Sequence, residues 1–189
     1  MAEIRPPTQR PPVALGCTAA AGVLGLLAVL AVFALRYLDS GSADGSVALD
    51  IAESYGKPSV TRSGENSLWL VRTDKGDFFA IADMDAANRA ATGRKCKVNP
   101  IGAADPNLAE LLTRYRGSLS GPVANVGLLF REDCNGAVYD AAGVRQDGPG
   151  PNLDRFATSV DGQGRLMVKM AKRTCSAREG TNAFAKTKC

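Results

Sequence analysis

Between residues 47 and 170 the chain is a succession of short apolar runs separated by turn-forming residues, and this pattern limits its fold more than any other feature. Residues 47–51, 59–62, 68–71, 78–81, 126–131, 137–139, 156–160 and 166–170 read as strands, each too short for an ordinary helix. The runs 68–71 and 78–81 flank Thr73-Asp74-Lys75-Gly76-Asp77, which reads as a hairpin turn, with Gly76 supplying a conformation that β-branched residues avoid. Asp161-Gly162-Gln163-Gly164 is the turn between the last two runs. Many short strands with frequent turn signals predict an all-β, antiparallel domain of the sandwich or barrel type.

A different physics governs the N-terminal part. Residues 1–12 are polar and proline-rich and read as a disordered leader. Val13 to Leu35 then runs 23 residues without a charge, long enough to cross a hydrocarbon core of roughly 30 Å as a helix. The run is too long for the core of a cleaved signal peptide. A lipoprotein signal needs its Cys after the apolar core, and Cys17 lies near the start. The sequence therefore predicts a single-pass transmembrane anchor over residues 13–38 and a flexible linker over 39–46. Arg5 and Arg10 precede the run and Arg36 follows it, so the positive-inside bias puts the N-terminus in the cytoplasm and the β domain on the periplasmic, extracytoplasmic side of the cell membrane.

The stretch from Phe130 to Pro151 carries the most specific pattern. Phe130, Cys134, Gly136, Tyr139 and Asp140 are followed by Gly143 and by the loop Gly148-Pro149-Gly150-Pro151. The spacing resembles the second cluster-binding box and the proline loop of the Rieske iron–sulfur proteins. In that family the box runs aromatic, any residue, Cys, Pro, Cys, His, Gly, Ser, any residue, aromatic, Asp. The resemblance covers roughly residues 47–170 and implies a Rieske-like antiparallel β domain. In the family a strand pair leads into the first box, Cys-any-His-any-Gly-Cys. Here the 68–81 hairpin leads into DMDAANRAATGRKCKV, and aligning Cys96 with the last Cys of that box places Ala91 and Gly93 at ligand positions. In the second box Glu132 and Asn135 stand at the other two.

The family's [2Fe–2S] centre takes two thiolates and two imidazoles, both histidines on one iron. This chain contains no histidine. Ala91 and Gly93 have no donor atom, and the oxygens of Glu132 and Asn135 suit such a cluster poorly. The expectation is a Rieske-like domain with no cluster and no catalytic residues. The resemblance also implies a disulfide between Cys96 and Cys134, the two loop-tying cysteines of the family. Cys175 and Cys189 form the natural second pair among four outer-side thiols. The alternative, a four-thiolate iron or zinc site, lacks a Cys-x₂-Cys pair.

Between Cys96 and Cys134 lie 37 residues, more than the simplest family members place there. This insert, about 97–125, predicts a short helix, with Asp105 as cap, Pro106 in the first turn, and Leu108, Leu111, Leu112 and Tyr115 on one face. That stripe packs either on its own domain or on a partner. The paired acids Asp83 and Asp85 read as a solvated loop with a local turn, and Glu132 with Asp133 could bind a cation weakly, though two adjacent acids on a turn read more plainly as exposed. The segment 171–189 reads as a basic tail: from Arg165 to Cys189 there are seven Lys/Arg and one acidic residue. An acidic partner surface or anionic membrane lipid suits such a tail, and a solvated tail is the plainer reading. The net charge of +4 is too small to argue for nucleic acid. Three functions follow. The first is a non-catalytic structural subunit among the other subunits of a membrane respiratory or related electron-transfer complex. The second is an electron carrier of a quinol-oxidising complex, and the third a free-standing, membrane-anchored periplasmic binding module.

Overall fold

A computed structural model describes residues 25–32, 45–90, 93, 95–180 and 183–189. The chain divides into two units, Met1–Gly41 and Ser42–Cys189. In the first, residues 25–32 form helix α1, whose Leu26, Leu27, Val29, Leu30 and Val32 are exposed. Among the described residues no helix is long and apolar enough to cross a membrane. Most of the expected anchor, the leader and most of the linker lie outside the described residues.

The second unit is built from antiparallel sheets, as the strand pattern predicts. Strands β1 (Ser46–Ile51), β2 (Ser59–Ser63), β3 (Leu68–Arg72), β4 (Phe78–Asp85), β9 (Leu153–Val160) and β10 (Arg165–Thr174) form the largest sheet, in the order β1-β10-β9-β4-β3-β2. Strands β5 (Val98–Pro100), β6 (Leu129–Glu132) and β7 (Val138–Asp140) form a second sheet. Strands β8 (Gly150–Pro151), β11 (Ser176–Arg178) and β12 (Phe184–Lys186) form a third, with β11 in the middle. Every pairing among these strands is antiparallel. Two short helices, α2 (Ala86–Ala90) and α3 (Leu108–Tyr115), lie in the connections around β5.

Side chains alternate across a strand, so a strand buried on both faces feeds two cores. Strand β3 does this. Leu68 and Leu70 pack with Ala80, Phe156, Leu166 and Val168. Trp69 and Val71 face the other way and pack with Ile81, Phe130, Tyr139 and Leu153. That second cluster joins the large sheet to the β5-β6-β7 sheet. The Trp69 indole N–H donates to the Val98 carbonyl at 2.7 Å, which fixes β5 against β3.

The insert helix is present as α3. Leu111 is buried, and Leu108, Leu112 and Tyr115 pack beside it on Ile101, Leu129 and Val138. The stripe thus covers the β5-β6-β7 sheet of its own domain. Asn107 rather than Asp105 precedes the first turn. Asp105 acts one step earlier, its Oδ1 accepting the Asn107 amide at 2.8 Å. The C-terminal segment is no loose tail. Strand β10 runs on to Thr174, and β11 and β12 fold back beside β8, closed by a disulfide between Cys175 and Cys189 whose Cα atoms are 5.3 Å apart.

Candidate functional site: two loops clipped together

The connection from β4 to β5 and the turn of the β6–β7 hairpin form two loops, and the core between their sheets brings these loops side by side. A disulfide joins Cys96 on the first to Cys134 on the second, with Cα atoms 5.6 Å apart. Backbone bonds reinforce the clip. The Asp133 amide donates to the Lys97 carbonyl, and the Lys97 amide donates to Asp133 Oδ1, both at 3.0 Å.

Glu132 is buried rather than exposed, because its partners are its own backbone neighbours. Its Oε1 accepts the Cys134 amide at 2.6 Å and its Oε2 accepts the Asn135 amide at 2.7 Å. A carboxylate satisfied by two amides tolerates burial that an unpaired one does not. Gly136 closes the turn in the left-handed region, with φ at +73°. Gly93 has open space where a side chain would begin. Ala91 lies outside the described residues.

Asp83 and Asp85 are also buried, a second departure from the exposed-loop reading. Strand β4 extends four residues beyond Ile81, and both acids alternate onto its inner side. Asp83 Oδ2 pairs with the Lys97 ammonium at 2.7 Å and with the Arg62 guanidinium at 3.4 Å. Asp85 Oδ1 accepts the Asn88 amide at 2.7 Å, which starts α2. Asp85 Oδ2 accepts the Tyr139 hydroxyl at 3.2 Å. Burial, and next the Asp85 charge, push the Tyr139 phenol well above its ordinary value of 10.0. A further buried acid, Asp154, pairs with Arg89 of α2 and with Arg173 at 3.8 Å. None of Lys97, Arg62, Arg89, Asp154 or the Tyr139–Asp85 pair was legible as a site in the sequence. The one available signal was the Asp-x-Asp spacing at the end of an apolar strand.

The proline loop is fixed from beneath. Asp140 Oδ1 accepts the amides of Ala142 and Val144, both at 2.9 Å, and Oδ2 accepts the Ser120 amide at 2.9 Å. In the turn that follows, Gly143 has φ at +78°, and a Cβ there would come within 3.0 Å of Leu153 Cβ and 3.2 Å of Ile81 Cγ2. Arg145 holds Asp147 with two bonds of 2.9 and 3.1 Å. This bidentate bond, foremost among several influences, raises the guanidinium above its ordinary range. Gly150 takes φ of +142°, a region that favours glycine, and a Cβ there would meet Arg145 Nη1 at 2.7 Å, so a side chain would have to push the guanidinium aside. Arg178 reaches the same place from β11, donating to the carbonyls of Arg145 and Gly180.

The residues at the loop tips do not suit an iron–sulfur cluster. Cys96 and Cys134 are consumed in their disulfide, Gly93 has no side chain, and both oxygens of Glu132 are engaged by amides. Cys96, Glu132, Asp133 and Cys134 do bring potential donor atoms within 4.8 Å of one another. With the two sulfurs bonded to each other, that group reduces to two carboxylates already used in holding the loops. Comparison with family models, with curated proteins and with solved structures finds no match to this chain.

Proposed function

We propose that the chain is a non-catalytic, cluster-less Rieske-like subunit of a membrane electron-transfer complex. Anchored by its N-terminal apolar segment, it presents the β domain outside the cell membrane. One observation carries the reading: protein groups tie the paired loops together. The Cys96–Cys134 bridge clips them, and the Glu132 carboxylate occupies the amides of the second loop. The residue correspondence from Phe130 to Pro151 supports the family, and the absence of histidine supports the loss of its cluster. In this role the domain contributes a rigid docking body, and another subunit carries the electrons. Extraction of the full chain in mild detergent tests it. We expect it in the membrane fraction together with haem or iron–sulfur subunits, with no stoichiometric iron or acid-labile sulfide of its own. Two irons per chain with visible absorption bands make it an electron carrier instead. Recovery without any redox subunit refutes the subunit role.

A further inference from the structure

We infer that the sheet β8-β11-β12 carries a binding site for a phosphate-bearing ligand with an apolar part, independent of the subunit role above. A cleft of about 390 Å³ opens where this sheet meets the ends of β9 and β10. That volume lies within the range of small-molecule sites, roughly 300–1,000 Å³. Its polar lining is arranged by strand register. Thr174 lies opposite Arg155, and Ser176 lies opposite Lys186. Thr174 and Ser176 are two residues apart, so their hydroxyls share a side, while Cys175 between them is buried in its disulfide. The result is two cations and two hydroxyls facing one space.

Their hydrogen bonding leaves these groups available. Ser176 Oγ accepts from the Asn152 amide nitrogen at 2.9 Å, so its own hydrogen is free to donate. Asn152 is buried and held in turn, its Oδ1 accepting the Arg145 amide at 2.9 Å. Among the described residues no carboxylate pairs with Arg155 or Lys186, and no acidic residue lines the cleft. The contrast is with Arg62, Arg72, Arg89, Arg145, Arg165 and Arg173, each of which pairs with an acid. A guanidinium fork, an ammonium and two hydroxyl donors match a tetrahedral dianion better than a planar carboxylate. Phe184 stands two residues from Lys186 on β12 and is 53% exposed, offering an apolar surface for the rest of the ligand. The cleft is too large for bare phosphate alone.

The ligand is either a soluble phosphate ester or a phospholipid headgroup, and a titration distinguishes them. The full chain in non-ionic detergent is titrated with glycerol 3-phosphate and, separately, with short-chain phosphatidylglycerol below its micelle concentration. Backbone amide NMR shifts are the readout. Saturable shifts at Thr174, Ser176 and Ala185 are expected with at least one probe, with Leu166 and Val168 unmoved. Saturation by glycerol 3-phosphate assigns a soluble ester, and saturation by phosphatidylglycerol alone assigns a headgroup. Arg155→Gln with Lys186→Gln should weaken binding by about tenfold or more, because two charge-assisted hydrogen bonds to the phosphate disappear. If that pair fails to fold, Lys186→Gln alone, at an exposed position of β12, should weaken it by several-fold. No saturation by either probe, or undiminished binding in the variants, overturns the site.

Discussion

Glu132→Gln isolates the contact on which the second loop depends. The substitution keeps shape and volume. It keeps one oxygen acceptor and replaces the other with an NH₂ group, which cannot accept. One of the two amides, Cys134 at 2.6 Å or Asn135 at 2.7 Å, therefore loses its partner and meets a donor. The surviving bond is also no longer charge-assisted. Hydrogen bonds to a charged group contribute about 1.5–3 kcal/mol, and a buried polar group left unpaired costs about 1–3 kcal/mol. Both amides are only part-buried, so the low ends of the two ranges apply, and added together they give an expected loss of about 2–3 kcal/mol. At about 2–4 °C per kcal/mol for a chain of this size, the midpoint should fall by about 4–12 °C. The chain's one tryptophan, Trp69, is buried against Phe130 in the core beneath the loops, so its fluorescence reports the transition. The measurement uses the full chain under non-reducing conditions, with the Cys96–Cys134 bridge intact. Asp133→Asn is the control: its carboxylate holds one amide, that of Lys97, at an exposed position, the Asn oxygen can keep that bond, and the loss of charge should cost about 0.5–1 kcal/mol. Equal effects of the two variants, or a Glu132→Gln loss below that of the control, would refute the assignment.

Two further outcomes follow from buried groups. Tyr139 keeps its proton in the folded state beyond pH 10.0, where an unfolded phenol begins to lose it. The folded state then binds more protons than the unfolded one, so this contribution is complete below pH 10.0 and declines as pH rises above it. Urea unfolding at successive pH values should show wild type losing up to about 1.4 kcal/mol per pH unit relative to Tyr139→Phe above that point, with parallel curves below pH 9 or so. Leu111→Asp with Leu112→Asp places charge on the face that α3 buries against Ile101, Leu129 and Val138. The expected loss is about 3 kcal/mol or more in thermal or urea unfolding, and an unchanged midpoint would show that the helix face is not buried in this domain.

How much of this was legible in the sequence depends on the range of the interactions. The β3–β4 hairpin was readable because its signals are local: two apolar runs and a glycine, Gly76, with φ at +96°. The α3 stripe was readable from its spacing. Strand β4 runs four residues past the apolar run that marks it in the sequence, because distant groups hold aspartates that otherwise disfavour a strand: the Tyr139 hydroxyl donates to Asp85, and two cations pair with Asp83. Those cations, Arg62 and Lys97, come from β2 and from the loop before β5. Strands β11 and β12 have three residues each, too few to show a period. Their order comes from the Cys175–Cys189 bridge and from Arg178 meeting the proline loop, both non-local. The basic charge of that segment was visible at once. That part of it would line a cleft required knowing which residues lie across from Thr174 and Ser176.

The two regions differ in what a ligand must displace. At the clipped loops each carboxylate has a partner: Glu132 holds two amides, Asp133 the Lys97 amide, Asp83 the Lys97 and Arg62 cations, and Asp85 the Tyr139 hydroxyl. A ligand entering there breaks one of these interactions and leaves a buried charge or amide unsatisfied, at about 1–3 kcal/mol for each group. It must regain that before it binds at all. In the cleft beside β11 the cost is reversed. Among the described residues Arg155 and Lys186 have no acid to surrender, and the Ser176 hydroxyl, accepting from Asn152, keeps its own proton to donate. Binding there loses only water and some side-chain freedom. The loops are therefore built to stay closed, and the cleft beside β11 is where a ligand meets the lower cost.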